Sequence, residues 1–247
     1  MAKTDRDIES QVAAILHEAW MTRDSADVPT TDSVVHKNGA VRIDATFLYA
    51  DLAGSTQPQK DYVDTFAARA VRMYLGGASE IIRHFGGAIK SFDGDRVMGV
   101  FTGGRKRNNA VLAAFAINWL VQQVIAPQVR ARHEANGTTV WVPKHPIGID
   151  SGETFVVRAG VRNKPNEHNH NDLVFIGRAP NVAAKLSAVR ELDNGIYITA
   201  DVYRYLDPEQ RKHLQREINP WQGPTNTAIG PHQLNMYRTS YWRSLDE

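Results

Sequence analysis

The chain contains no cysteine. That excludes a thiol nucleophile, a disulfide framework and thiolate metal sites, and it agrees with a reducing compartment. A secretory leader is not expected either, because Lys3, Asp5, Arg6, Asp7, Glu9 and Glu18 interrupt the first 25 residues with no apolar stretch between them. No later run approaches the ~20 apolar residues a membrane span needs. The expectation is a cytoplasmic protein with no membrane contact. An excess of one charge is missing as well, since 29 basic against 27 acidic residues leave a formal net charge of +2. Nothing in that balance requires DNA or RNA as a partner, and a small anionic substrate is compatible with it. Internal repeats and low-complexity tracts are also absent.

What the chain does have is length, since 247 residues suffice to bury a core without staples. Two parts are expected: residues 1–40 as an N-terminal amphipathic helix and linker, and residues 41–247 as the unit that carries the chemistry. Ile8, Val12, Ile15, Leu16, Ala19 and Trp20 recur at helical spacing, with acidic residues interleaved. Such a face suits the chain's own domain or a dimer mate better than lipid. The stretch from Asp24 to Asn38 reads as a linker. From Val41 to Leu52 the pattern alternates as in a strand, which puts Tyr49 and Asp51 on one face. A helix is expected from Val63 to Phe85, whole or interrupted near Gly76-Gly77. Ala88–Ser91 and Val97–Phe101 read as strands around an Asp93-Gly94 turn. A second helix runs from about Arg107 to Val124 and stops before Pro127. Strands follow at Ile147–Ile149, Thr154–Val161, Leu173–Ile176 and Gly195–Ile198, with helices at Pro180–Glu191 and Asp201–Glu217 and a last strand at Gln233–Thr239. That order predicts an α+β fold, helices packed on a mainly antiparallel sheet.

The chemistry gathers in two acidic segments, Phe47-Leu48-Tyr49-Ala50-Asp51-Leu52-Ala53-Gly54-Ser55-Thr56 and Lys90-Ser91-Phe92-Asp93-Gly94-Asp95. Mg²⁺ and Mn²⁺ prefer hard oxygen ligands, and two such ions ~4 Å apart clamp the attacking and leaving oxygens of a displacement at phosphorus. Asp51 and Asp95 supply such a site if the strand end and the hairpin tip converge. The amides of Ala53, Gly54, Ser55 and Thr56, turning into the next helix, would then face phosphates. Singly, Asp51 is a turn or cap residue and the hairpin an ordinary acidic one; jointly they favour metal. A third element, Ile176-Gly177-Arg178-Ala179-Pro180-Asn181-Val182-Ala183-Ala184-Lys185-Leu186, starts a helix at Pro180 and places Asn181 and Lys185 on one face. Glu167-His168-Asn169-His170 reads as a solvated loop, and Gly103-Gly104-Arg105-Lys106-Arg107 lacks the ending of a P-loop.

Together these motifs resemble the catalytic domain of the class III nucleotidyl cyclases, the adenylate and guanylate cyclase family. The likeness runs from about Ala45 to Leu206, and Leu234-Asn235-Met236-Tyr237-Arg238 is similar to the family's final strand. Tyr49 to Thr56 resembles the first metal motif, Gly94-Asp95-Arg96-Val97-Met98 the second, Gly148-Ile149-Asp150-Ser151-Gly152-Glu153 the central strand and turn, and Gly177 to Leu186 the Asn-bearing helix. The resemblance implies a ferredoxin-like core and a head-to-tail homodimer, with metal aspartates from one subunit and the Asn and Arg positions from the other. It assigns Asp51, Leu52 and Asp95 to two Mg²⁺ or Mn²⁺ ions, and Asn181 and Lys185 to catalysis. By the same resemblance Tyr49, Ala53, Gly54, Ser55, Thr56, Ser91, Val174 and Arg178 are expected to line the nucleoside triphosphate. Lys185 departs from the family's arginine, and a point charge replaces a planar fork; Arg178 or Arg190 is available to assist. Ser91 and Val174 stand where purine cyclases read the base with polar groups, and Val174 cannot hydrogen-bond. These features look like the bacterial pyrimidine cyclases of antiphage defence, with UTP favoured over CTP and an unidentified activator. The alternatives are a purine cyclase and a degenerate nucleotide-binding dimerisation domain.

Overall fold

The computed structural model describes residues 4–53, 64–136, 141–161, 170–213 and 218–247. It opens with helix α1 (Asp5–His17), whose N-cap Thr4 accepts from the Asp7 N–H at 3.3 Å while the Asp7 carboxylate accepts from the Thr4 N–H at 2.8 Å. The expected apolar stripe is there, but no α1 residue is buried and Leu16 is 76 % exposed. Strand β1 (Met21–Asp24) then pairs in parallel with the start of β2 (Gly39–Asp51), from Met21↔Gly39 to Asp24↔Arg42. This strand falls between the expected helix and the expected linker, overlapping the linker only at Asp24. Four exposed residues give no burial alternation by which to read a strand.

Helix α2 (Asp64–His84) runs unbroken through Gly76-Gly77. The hairpin of β3 (Ala88–Asp93) and β4 (Arg96–Phe101) follows. Its turn is Gly94-Asp95, one residue later than expected, because Gly94 supplies the positive φ of 62° at the first turn position. Helix α3 (Lys106–Trp119) continues through a π-helical turn (Leu120–Ile125) into α4 (Ala126–Asn136). Pro127 therefore does not end the helix. A wide turn frees backbone partners just where proline lacks an N–H and crowds the preceding turn. The resulting helix, Lys106–Ala135, is long and apolar enough to cross a membrane, contrary to the sequence expectation. Its apolar residues lie in the protein's own core, Val111, Phe115, Ile117 and Val121 being wholly buried.

Strand β5 (Ile147–Val161) is continuous where two strands and a turn were expected. Ser151 is tolerated inside it because its hydroxyl accepts from Thr46 Oγ1 at 2.9 Å and donates to the Ala45 carbonyl at 3.2 Å. After β6 (His170–Ile176), α5 (Arg178–Leu186) and β7 (Ile196–Thr199), the helix expected over 201–217 shrinks to α6 (Ala200–Arg204) and a 3-10 turn at Pro208–Arg211. Pro208 disfavours helix at the residue before it. The chain closes with β8 (Gln222–Ile229), unexpected from sequence, and β9 (His232–Thr239). Pro224 sits in β8 at the outer edge, where no neighbour needs its missing N–H.

These strands form one sheet in the order β3-β4-β2-β5-β7-β9-β8, with β1 on β2 and β6 on β5. The pairings are antiparallel except β1–β2 and β5–β7. The mainly antiparallel α+β architecture expected from sequence is thus present. Leu48 and Ala50 of β2, with Leu52 just beyond it, join Phe66 and Tyr74 of α2 and Phe115 of α3 in the larger core. Ile43, Ala45 and Phe47 face the other way, toward Ala179 and Ala183 of α5, with Tyr49 packed at their margin. Helix α5 comes so near the sheet that a Cβ on Gly148 would lie 2.1 Å from the Ala183 carbonyl oxygen.

Candidate functional site

The end of β2 is fixed from both sides. Asp51 is registered on Arg96 of β4, and its N–H donates to the Pro146 carbonyl at 3.2 Å. The Leu52 N–H donates to the Asp95 carbonyl at 3.3 Å, and the Ala53 N–H to the Lys144 carbonyl at 2.8 Å. Strand end and hairpin tip therefore meet, and Asp51 and Asp95 stand side by side. Burial pushes the Asp51 carboxyl above its ordinary range; the hydrogen bond from Arg190 opposes this and the Asp95 charge adds to it. Arg190 Nη2 lies 2.8 Å from Asp51 Oδ2, whereas Asp95 makes no ion pair among the described residues.

Two adjacent hard carboxylates, one of them partly desolvated, fit Mg²⁺ or Mn²⁺, which take one or two carboxylates and complete their shell with water and phosphate oxygens. No cluster of three or more His, Asp or Glu side chains exists among the described residues, so a metal held here by described side chains would rest on these two. The Ala53 amide is engaged by Lys144, which corrects the expectation that it faces phosphate. Gly54, Ser55 and Thr56 lie outside the described residues, as do Glu167, His168 and Asn169.

Around this pair the sheet register sets the neighbours. Ser91, Met98, Tyr49 and Gly148 form one row across β3, β4, β2 and β5. Arg96 holds its guanidinium 5.4 Å from the centre of the Tyr49 ring and donates to Asp93 at 2.5 Å. Burial raises the Tyr49 hydroxyl pKa. Val174 belongs to another row: it faces Val157, which faces Ala40, nine residues along β2 from Tyr49. Within the chain the strands do not bring Ser91 and Val174 into one row.

The α5 candidates point elsewhere in the chain. Asn181 donates to the Gly177 carbonyl at 2.8 Å. Lys185 runs past Gly230, where a Cβ would lie 2.8 Å from its Cε. Arg178 sits 3.5 Å from both Asp150 Oδ2 and Asp201 Oδ2. Asp150 is fully buried, and burial raises its pKa against the 2.6 Å hydrogen bond it accepts from Thr199. No contact joins Asn181, Lys185 or Arg178 to Asp51 among the described residues.

Several neighbours were not legible beforehand. The 144–146 segment that pins Asp51 and Ala53 carries no pattern, because it acts through carbonyls. Under the site, Tyr74 and His145 are buried with Tyr74 Oη 3.3 Å from His145 Nδ1. Burial lowers the imidazole to about 3 and raises the phenol, which the charges of Asp51 and Asp95 raise further. The signal for Arg96 existed, an acid and a base flanking a tight turn, though its reach to Tyr49 follows only from the register.

Known proteins similar to this chain include the following three. A uridylate cyclase of Rhodovulum sp. (strain MB263) is 38 % identical over 237 residues, 96 % of each chain. A uridylate cyclase of Xanthomonas perforans is 41 % identical over 226 residues, 91 % of each chain. Among solved structures, the adenylyl cyclase CyaB from P. aeruginosa superposes with a TM-score of 0.62 at 20 % identity, over 81 % of this chain and 95 % of that one. No protein-family model matches the chain.

Proposed function

The chain belongs to the uridylate cyclase family and is a nucleotidyl cyclase, and from that premise we propose that it converts UTP to 3′,5′-cyclic UMP and pyrophosphate at Asp51 and Asp95. The observation that carries this is the meeting of strand end and hairpin tip, through the Leu52 N–H on the Asp95 carbonyl and the Asp51↔Arg96 register. Divalent ions held by the two carboxylates, with Leu52 beside them, supply charge neutralisation for in-line attack of the ribose 3′-hydroxyl on the α-phosphorus and for departure of pyrophosphate. The chain's own groups position the rest. Tyr49, on the Asp51 face with Ser91 in its row, presents a polar tip on an apolar body to a small base. Val174, which lies in a different row of the same chain, would reach that base only from the partner subunit, where it offers no hydrogen bond to a purine edge.

Asn181 and Lys185 turn away from Asp51 of their own protomer, which supports a head-to-tail homodimer in which one subunit's α5 serves the other's carboxylates. Asn181 then orients the ribose and Lys185 meets the developing phosphoryl charge, with Arg178 steadied beside Asp150. Within a cytoplasmic setting, this reading makes the protein a second-messenger synthase in antiphage defence, switched by a separate activator. The experiment is incubation with ATP, GTP, CTP and UTP singly, in Mg²⁺ and in Mn²⁺, with products identified by mass. Cyclic UMP from UTP is expected; a purine product alone overturns the base assignment. Loss of phage protection on Asp51→Ala in the native operon tests the defence role.

A further inference from the structure

Among the described residues, Arg190 is the cation that pairs with Asp51, one of the two proposed metal carboxylates. Its Nη2 bonds Asp51 at 2.8 Å, and its Nη1 donates to the Ser187 carbonyl at 2.8 Å and the Val189 carbonyl at 3.3 Å. Ser187 caps the C-terminal end of α5, where unsatisfied carbonyls and the helix dipole favour a cation. The two ends of one guanidinium thus serve different partners. One is fixed backbone, and the other is a carboxylate that a divalent ion also wants.

We propose that Arg190 is a further functional residue of this site, an exchanging cation that holds Asp51 before the divalent ion binds and turns to the triphosphate afterwards. This rests on the reading of Asp51 and Asp95 as metal-binding. Without an ion, Asp51, Asp95 and Arg190 together carry one net negative charge, and the guanidinium relieves the repulsion between the carboxylates. An ion on Asp51 displaces Nη2 and repels the guanidinium. A bound triphosphate reverses that balance and gives Nη2 a phosphate oxygen to meet, while Nη1 keeps the Ser187 carbonyl. The planar fork that Lys185 lacks is then supplied from the metal-bearing subunit. Arg190 is half exposed, so the swing needs no repacking.

The test measures two affinities on the full chain, without turnover. Mn²⁺ alone is titrated by electron paramagnetic resonance of the free ion, and 3′-deoxy-UTP, which cannot cyclise, is titrated by calorimetry at saturating Mn²⁺. Arg190→Gln removes the competitor and the phosphate contact together, so Mn²⁺ alone should bind about tenfold tighter and the nucleotide about tenfold weaker. Arg190→Lys, with one charge and no fork, should fall between on both. Mn²⁺ binding that depends on Asp51 but is unchanged or weakened in Arg190→Gln overturns the exchange alone. Mn²⁺ binding that survives Asp51→Ala overturns the metal reading and the exchange with it.

Discussion

The two ends of β2 are built on opposite plans. At the Asp51 end, β4, the hairpin turn and the 144–146 segment hold consecutive residues through backbone hydrogen bonds, and the charged groups lie half-buried against one another. At the Gly39 end, β1 is four exposed residues and α1 buries nothing, with Ile8, Val12, Ile15 and Leu16 all more than half exposed. Charge is expensive to desolvate and tolerable only where its neighbours are fixed, so carboxylates are placed where the chain is pinned. The other end keeps an apolar helix face exposed.

The largest expected effect tests the pinned end directly. Asp51→Ala and Asp95→Ala should each lower kcat/KM by about a thousandfold or more, the scale of losing metal-based charge stabilisation, with circular dichroism unchanged. Retained turnover in either variant breaks the contrast. Gly148→Ala comes next, because its Cβ would meet the Ala183 carbonyl at 2.1 Å and the Ser187 N at 2.4 Å. Denaturant unfolding should show a loss of about 3 kcal/mol. An unaffected midpoint would mean that α5 does not sit on the sheet this closely.

A smaller effect reads the buried layer under the site through pH. His145 is held neutral down to about 3, whereas the unfolded chain takes up its proton near the ordinary 6.5. Between those values the unfolded state binds more protons, so stability is full above pH 6.5 and falls as pH drops toward 3. The loss should be about 2 kcal/mol at pH 5. His145→Phe should flatten that slope in thermal melts at pH 5 and 7, even though it leaves the Tyr74 hydroxyl without its ring partner. The smallest effect belongs to the other end of β2: Leu16→Ser should change stability by less than about 0.5 kcal/mol. A loss of about 2 kcal/mol instead would show that α1's apolar face is covered in solution.

How far these features could be read beforehand depends on whether they rest on local pattern. The alternation from Val41 to Leu52 located β2 to within two residues at each end, and Gly94 with its acidic neighbours located the hairpin. The unbroken β5 was not legible, since Ser151 and Gly152 look like a turn until Thr46 is seen to satisfy the buried hydroxyl. Nor was the passage of the α3–α4 helix through Pro127, which depends on a π-turn that no local propensity signals. At the candidate site, the meeting of the Asp51 strand end with the Asp95 hairpin tip could be expected from their strand and turn context. That the Ala53 amide is already taken by Lys144, and that Arg190 rather than Arg178 reaches Asp51, could not be.

By itself the sequence determined the periodic elements, the sign and type of the candidate ligands, and the likeness to a family, because each of these is written in residues a few positions apart. The tertiary structure decided which groups meet: Arg190 and Asp51 are 139 residues apart in the chain. The physical reason is that a hydrogen bond or an ion pair forms over about 3 Å, and only the register of the strands and the seating of α5 bring such distant side chains within that range.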